Sequence, residues 1–405
     1  IYPHIGGAFG GREDLNIQIL LALAAYKVRR PVKAIWTREE TTIGHPKRHP
    51  MRIRHKWGAS REGKLIVQSI EISADAGAYA STSTSVLETS TMLCTGPYQV
   101  PNVSIDARTV YTNNPVNGAF RGFGAPQAVY AAEMHMTRLA QILGMDPVEL
   151  RLKNMIRENS ETGIIGRTSP GVSAVETLEK AAIAAGWVVE HGKYVRPPKP
   201  PCLEQGKQKG IGIASGWKPV GYSLGYPEES TVTLELHGTM EIERAVVRTA
   251  AADLGQGAHT VICQMTAQAL NLPMHCIQLM PVDTLISPSP GPSSASRLTF
   301  MVGNAIRGAV EKCLNAWKNE DRPVIETFTF TAPTTCSFDH VGETGSGAFM
   351  LAYMAQAVEI EVDLDTGQIQ VERIISAHDV GKTINPQSVQ GQVEGGAVQG
   401  LGWAT

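Results

Sequence analysis

Charge is scarce in this chain. Only 18% of its 405 residues are Asp, Glu, Lys or Arg, below the roughly 25% usual for soluble proteins. The formal net charge of −2 gives no electrostatic reason to expect nucleic acid or an anionic membrane as partner. No run of about 18 apolar residues occurs, so no segment reads as a membrane span. The six cysteines (Cys94, Cys202, Cys263, Cys276, Cys313, Cys336) include no close pair. Zinc and iron–sulfur sites need thiolates at short spacings, so the chain itself reads as holding neither. Scattered single cysteines fit a reducing compartment, hence a cytoplasmic protein. No regular βαβ period and no short repeat is visible, which excludes a doubly wound parallel sheet and a solenoid.

Glycine, by contrast, is abundant: 40 of 405 residues, against a usual share of about 7%. The length calls for two or three domains around a large interior with close backbone approaches. Asp14 to Val28 carries apolar residues at helical spacing and reads as a buried helix. Lys64 to Ala80 alternates in strand fashion through Leu65, Val67, Ile70 and Ile72. Gln127 to Leu143 is a second helix stopped by Gly144, and Asp146-Pro147-Val148-Glu149 starts a third, with Glu149 closing a capping box. The Pro-, Ser- and Gly-rich stretch 158–209 encloses one short helix (Ala174 to Ala185) and separates a domain over 1–157 from one over 210–405. Beyond it, Thr231 to Leu236 is a strand, Gln356 to Ser376 a hairpin turning at Asp365-Thr366-Gly367, and helices follow Gly257 and Thr299. The fold class expected is α+β, with mixed sheets and packed helices.

Five polar, glycine-rich constellations stand out. The first is Gly6-Gly7-Ala8-Phe9-Gly10-Gly11-Arg12-Glu13, nearly bare backbone opening a helix. It suits N–H contacts to an oxygen-rich ligand, or simply a tight turn with Glu13 at a helix start. With no initiator Met and only Ile1 to Ile5 before it, the strand that should feed this loop is nearly absent, and the chain reads as a piece of something longer. The second, Gly118-Ala119-Phe120-Arg121-Gly122-Phe123-Gly124, can place Arg121 against a ligand and Phe123 under a planar ring, or hold a structural arginine. The third, Asp253-Leu254-Gly255-Gln256-Gly257-Ala258-His259-Thr260, suits phosphate contacts, with His259 read as a satisfied helix-start histidine. The fourth, Ser293-Ser294-Ala295-Ser296-Arg297, suits phosphate or forms a plain N-cap cluster. The fifth runs from His378-Asp379 to Gly391-Gln392-Val393-Glu394-Gly395 and Gln399-Gly400. Together they suggest one large polar cofactor held by backbone and amide groups. The nucleotide fingerprint G-x-G-x-x-G cannot be laid on the first loop with a preceding strand, which disfavours a flavin or nicotinamide enzyme.

In this order, and along essentially the whole chain, the five motifs resemble the molybdopterin-binding subunit of the xanthine dehydrogenase/aldehyde oxidase family. The resemblance implies two molybdenum-cofactor-binding domains and a molybdopterin cytosine dinucleotide whose metal takes no protein side-chain ligand. It implies hydroxylation of a purine-like or other heteroaromatic ring carbon, or of an aldehyde, with water as oxygen source. It also implies iron–sulfur and FAD domains or subunits as electron acceptors, in an oligomeric assembly. Carried over by motif, Gly7, Ala8, Phe9 and Gly10 face the cofactor, Arg121 sits by the metal centre, and Glu13 and Phe123 contact substrate. Gly255, Gln256, Gly257, Ser294, Ala295, Ser296, Arg297 and Gln392 line the pterin and its pyrophosphate.

Three departures qualify the resemblance. The second substrate arginine of xanthine-specific members has no counterpart in Leu87 to Thr95, so a general heteroaromatic ring fits better than xanthine. The loop Ala119 to Ala125 lacks the cysteine of carbon monoxide dehydrogenases. The general-base glutamate is expected beyond Thr405; Glu343 precedes the Gly-Gln-Val-Glu-Gly motif and reads as a loop residue. A truncated, non-catalytic cofactor-binding fragment is therefore the alternative.

Overall fold

The computed structural model of the chain describes residues 3–198, 206–319, 322–341 and 345–405. Its helices and mixed sheets form two compact units that interleave along the sequence. One unit comprises Ala8–Lys218 and Tyr353–His378; the other comprises Ile1–Gly7, Pro219–Ala352 and Asp379–Thr405. The class is α+β. Among the described residues no helix is long and apolar enough to cross a membrane. Part of the proline-rich stretch, 199–205, lies outside the described residues, as do Cys202 and Glu343.

In the first unit, Met51–Ala59 pairs antiparallel with Leu65–Gly77, which pairs parallel with Asn102–Tyr111. The parallel return is carried by the helix Ser83–Leu93, as a crossover requires. The strand's alternation changes phase near its start: Leu65 is buried, but Val67 is exposed and Gln68 takes the inward position ahead of Ile70 and Ile72. The cause is a bulge, where register slips between Gly58 and Ala59 opposite Val67 and Leu65, swapping the two faces.

The helix Ala125–Leu143 buries Ala128, Ala132, Met136 and Ala140. It ends at Gly144, whose left-handed φ of 63° lets its N–H cap the last turn. Asp146 caps the next helix, Pro147–Asn154, through the N–H groups of Val148 and Glu149. Glu149 does not close a capping box; its carboxylate accepts the Tyr194 N–H instead. Below these helices Arg151 and Glu133 form a buried ion pair at 2.8 Å. Glu133 also accepts the Tyr98 hydroxyl and, at 2.8 Å, the Ser215 N–H.

The helix Ile17–Val28 forms where apolar spacing predicts it, yet none of its residues is buried. Leu20, Leu23 and Tyr26 are 65%, 51% and 66% exposed. Apolarity on every side demanded burial, but among the described residues no layer buries it.

The second unit holds a sheet ordered Ile277–Leu279, Ile242–Arg248, Glu229–Gly238, Val324–Thr331. The first pair is parallel and the others antiparallel. Helices Ala258–Leu270 and Ser296–Trp317 seal one face, packing Ile262, Val302, Ile306 and Val310 on Val232, Leu234, Leu236 and Val247. Each such side chain contributes roughly 1.5–3 kcal/mol on burial. The opposite face is polar, with threonine hydroxyl pairs Thr231–Thr329 and Thr233–Thr327 at 2.9 and 2.8 Å. The helix Pro386–Ala404 completes this unit.

Candidate functional site

The first two glycine loops meet in the first unit. Phe9 and Gly10 have left-handed φ values of 52° and 97°. The turn is closed by Gly11 N–H to Ala8 O at 3.0 Å and Glu13 N–H to Gly10 O at 3.2 Å. Gly10 is required: a Cβ there would lie 2.8 Å from the Ala119 carbonyl carbon and 2.9 Å from the Phe120 Cα. This approach lets the Arg121 N–H donate to Phe9 O at 2.8 Å, with the guanidinium carbon 5.9 Å from the Phe9 ring centre. Phe9 itself is 59% exposed.

The loop that carries Arg121 is itself strained. Gly122, Phe123 and Gly124 all have positive φ, 95°, 50° and 91°, and Ser90 anchors it by donating to Gly124 O at 3.1 Å. Arg48, absent from the expected site, clamps it. Its Nη2 donates to Arg121 O at 2.7 Å and its guanidinium stacks 4.4 Å from the centre of the Phe120 ring. The Arg121 peptide is thus held at both ends, by Phe9 and by Arg48. The signal for Arg48 was its basic run, Lys47-Arg48-His49, in a chain otherwise poor in charge.

Burial lowers the Arg48 pKa to about 10 and lowers that of Arg121. Burial, and then the neighbouring Asp14, hold the Glu13 carboxyl above its usual range. The protonated acid is therefore more accessible at Glu13 than at an ordinary glutamate.

The remaining constellations gather in the second unit around the turn 251–259. Asp253 accepts the N–H groups of Gly255 at 2.9 Å, Gly257 at 3.2 Å and His259 at 3.1 Å. Burial opposes its charge, but these bonds prevail and its pKa falls below the ordinary value. The Gln256 carboxamide folds back on its own turn, accepting Leu254 N–H at 2.6 Å and donating to Ala252 O at 3.1 Å. His259 bonds Ala251 O at 2.9 Å, a satisfied histidine as its position predicted.

Three other segments touch this turn or the helix it opens. Gly7 N–H donates to Leu254 O at 3.0 Å. Ser293 Oγ accepts Ala252 N–H at 3.1 Å. Asn385, the cap of Pro386–Ala404, reaches Gln264 at 3.1 Å. Beside the turn lies a cleft of about 420 Å³ bordered by His4, Asp253, His259 and residues 279–282.

Arg297 differs from its expected role as a ligand contact. It is 1% exposed and is spent on Glu228 at 2.5 Å and on the carbonyls of Pro290, Pro292 and Glu229. It braces the turn Ser294-Ala295-Ser296, where Ala295 has a φ of 47°. Gln392 is exposed on the last helix.

The donor set is one of turn amides, hydroxyls and bare glycine surface. Among the described residues, and the helix's own neighbouring backbone aside, nothing lies within 4 Å of where a Cβ would stand at Gly391, Gly400 or Gly402. Among the described residues no group of three or more His, Cys, Asp or Glu side chains is placed to hold a metal ion. Such a surface fits a large polar cofactor that brings its own metal ligands.

The fold and these turns define a molybdopterin-cofactor-binding protein. Two patterns, each described as a molybdopterin cofactor-binding domain, match the chain, one over residues 1–155 and one over 193–327 and 315–405. The chain belongs to the molybdopterin-binding subunits of the xanthine dehydrogenase/aldehyde oxidase family. It is 32% identical to a probable xanthine dehydrogenase subunit of Bacillus subtilis over 98% of its length and 56% of that protein's. It is 31% identical to an aldehyde oxidoreductase of Megalodesulfovibrio gigas, over 99% and 44%. The crystal structure of the aldehyde oxidoreductase from Desulfovibrio desulfuricans superimposes with a TM-score of 0.84 at 27% identity, covering 98% of this chain and 44% of that one. The chain thus spans about half the length of the curated relatives it matches.

Proposed function

We propose that the chain forms the molybdopterin-binding part of an enzyme that oxidatively hydroxylates an electrophilic ring carbon of a purine-like or other N-heteroaromatic substrate, with water as oxygen source. Aldehydes are the second substrate class. The observation that carries this reading is the pairing of the Phe9 and Arg121 loops through a 2.8 Å hydrogen bond, which sets the exposed Phe9, in the loop that ends at Glu13, beside Arg121. A relative named nicotinate dehydrogenase large molybdopterin subunit, from Eubacterium barkeri, is 46% identical over 46% of this chain and supports a heteroaromatic ring.

In this reading the cofactor is molybdopterin cytosine dinucleotide, which when bound supplies the two-electron oxidising centre. Gly7, Ala8, Phe9, Gly10, Gly255, Gln256, Gly257, Ser294, Ala295, Ser296 and Gln392 hold it, and Arg297 positions the serine turn from behind. Arg121 offers positive charge where negative charge develops. Phe123 stacks on the substrate ring, and Glu13, with its raised pKa, hydrogen-bonds a ring nitrogen or exocyclic oxygen. Iron–sulfur and FAD domains or subunits take the electrons onward, within an oligomer, and the cysteine pattern supports a cytoplasmic setting.

The assembled enzyme carrying Glu13→Ala tests the assignment. Its kcat/KM on oxo-purines and pyridine carboxylates should fall by roughly 10²-fold, the scale of a lost orienting hydrogen bond, while simple aldehydes lose far less. Equal loss on both classes removes Glu13 from substrate recognition.

A further inference from the structure

A buried histidine stands next to the arginine that clamps the Arg121 loop. His49 is 2% exposed. Its Nε2 lies 2.8 Å from Ser83 Oγ, and its carbonyl accepts the Gln127 carboxamide N–H at 3.2 Å. Gln127 Oε1 in turn accepts from Arg48 Nη1 at 3.4 Å, and Arg48 Nη2 holds Arg121 O at 2.7 Å. Bonded links therefore run from His49 through Gln127 and Arg48 to the Arg121 loop.

The other ring nitrogen, Nδ1, is buried and has no hydrogen-bond partner among the described residues. In the neutral ring with its proton on Nε2, Ser83 Oγ accepts that proton and Nδ1 is an idle lone pair. Protonation turns Nδ1 into a second donor with nothing to receive it, a cost of about 1–3 kcal/mol. It also adds a positive charge near the Arg48 guanidinium. Three charged side chains act on the ring: Asp75, from the strand Leu65–Gly77, and Asp14 favour its charge, and Arg48 opposes it. Both carboxylates are engaged with other groups, Asp75 with Thr112, Asn114 and the Gly77 N–H, and Asp14 with Ser81. Burial is the largest influence, and the pKa of His49 falls below the ordinary 6.5.

We propose that His49 is a positioning residue for the Arg121 loop, and that Arg48 clamps the loop only while the His49 imidazole is neutral. The ring takes a proton less readily in the clamped state than in an opened one. The clamped loop is therefore fully favoured above pH 6.5 and loses ground as pH falls from 6.5 toward the lower clamped value. This is a property of the loop and its supports, and it holds whichever substrate, or none, the assembled enzyme oxidises.

Amide hydrogen exchange of the natively purified enzyme tests the proposal, followed on peptides covering 118–124 and corrected for the intrinsic pH dependence of exchange. Protection should fall about threefold or more between about pH 7.5 and pH 5.5. His49→Gln keeps a donor for Ser83 and cannot be charged, so its protection should stay flat over that range. Arg48→Met should be weakly protected at both pH values, because its clamp is already gone. Exchange of the His49 ring C2 hydrogen in the unaltered enzyme reports the titration directly and should show a midpoint below 6.5. A midpoint at or above 6.5 would overturn the proposal. So would protection in the unaltered enzyme that does not change with pH, or the same pH dependence in either variant as in the unaltered enzyme. If His49→Gln does not fold, Arg48→Met and the unaltered enzyme still decide.

Discussion

Arg48 shows how a single residue can govern a loop it does not belong to. Its guanidinium is half-buried, stacks on Phe120 and donates to Arg121 O, so the residue whose N–H bonds Phe9 is fixed from its carbonyl side as well. Bonds to a charged donor contribute roughly 1.5–3 kcal/mol. Arg48→Met should accordingly speed amide exchange across 118–124 by at least about tenfold, with little change in the global transition. Arg48→Lys, which lacks the planar fork, should fall between the two. Unchanged exchange in Arg48→Met would mean the clamp is idle. Arg297 carries the opposite lesson: the Ser-Ala-Ser-Arg motif was legible in the sequence, but that its arginine faces inward to Glu228 was not. Local spacing does not reveal a carboxylate 69 residues away.

At the scale of elements, the turn preceding Ala258–Leu270 depends on Asp253. Its carboxylate collects three backbone N–H groups that a helix start would otherwise leave unpaired. Because its folded pKa lies below the ordinary 3.8, the stability it adds is fully present above that value. That stability is lost as pH falls through the lower folded value. Asp253→Asn keeps the oxygen that accepts Gly255 and Gly257 but replaces the one that accepts the His259 N–H. It should cost about 1–2 kcal/mol near neutrality, the scale of a donor left unpaired, and should remove this part of the acid sensitivity below pH 3.8. Urea melts near neutrality and in acid below that value check both; an unaltered acid limb would refute the linkage. The helices themselves were well marked, since Gly144, Asp146 and Pro147 are local punctuation. The bulge opposite Val67 was not, because a register slip belongs to two strands at once.

At the scale of the whole molecule, the chain crosses between its two units four times, so neither unit is one uninterrupted stretch of sequence. Within the first unit the Arg151–Glu133 pair joins two helices to Tyr98 and to the strand residue Ser215. Both side chains are almost wholly buried. Glu133→Gln leaves an uncompensated guanidinium in the core and should destabilise this unit by about 3–5 kcal/mol. A loss under about 1 kcal/mol in chemical denaturation would show the pair to be dispensable.

By itself the sequence determined the α+β class, the turn glycines, most helix ends and the five motifs, because each rests on backbone sterics or on periodicity within a few residues. Only the tertiary structure decided which motifs share a wall. Phe9 meets Arg121, Gly7 meets Leu254, and Arg297 turns away to Glu228, all contacts across 69 to 247 positions of chain. It also decided that the most apolar helix lies bare. Burial is a property of what packs against a segment, and no segment encodes its own cover.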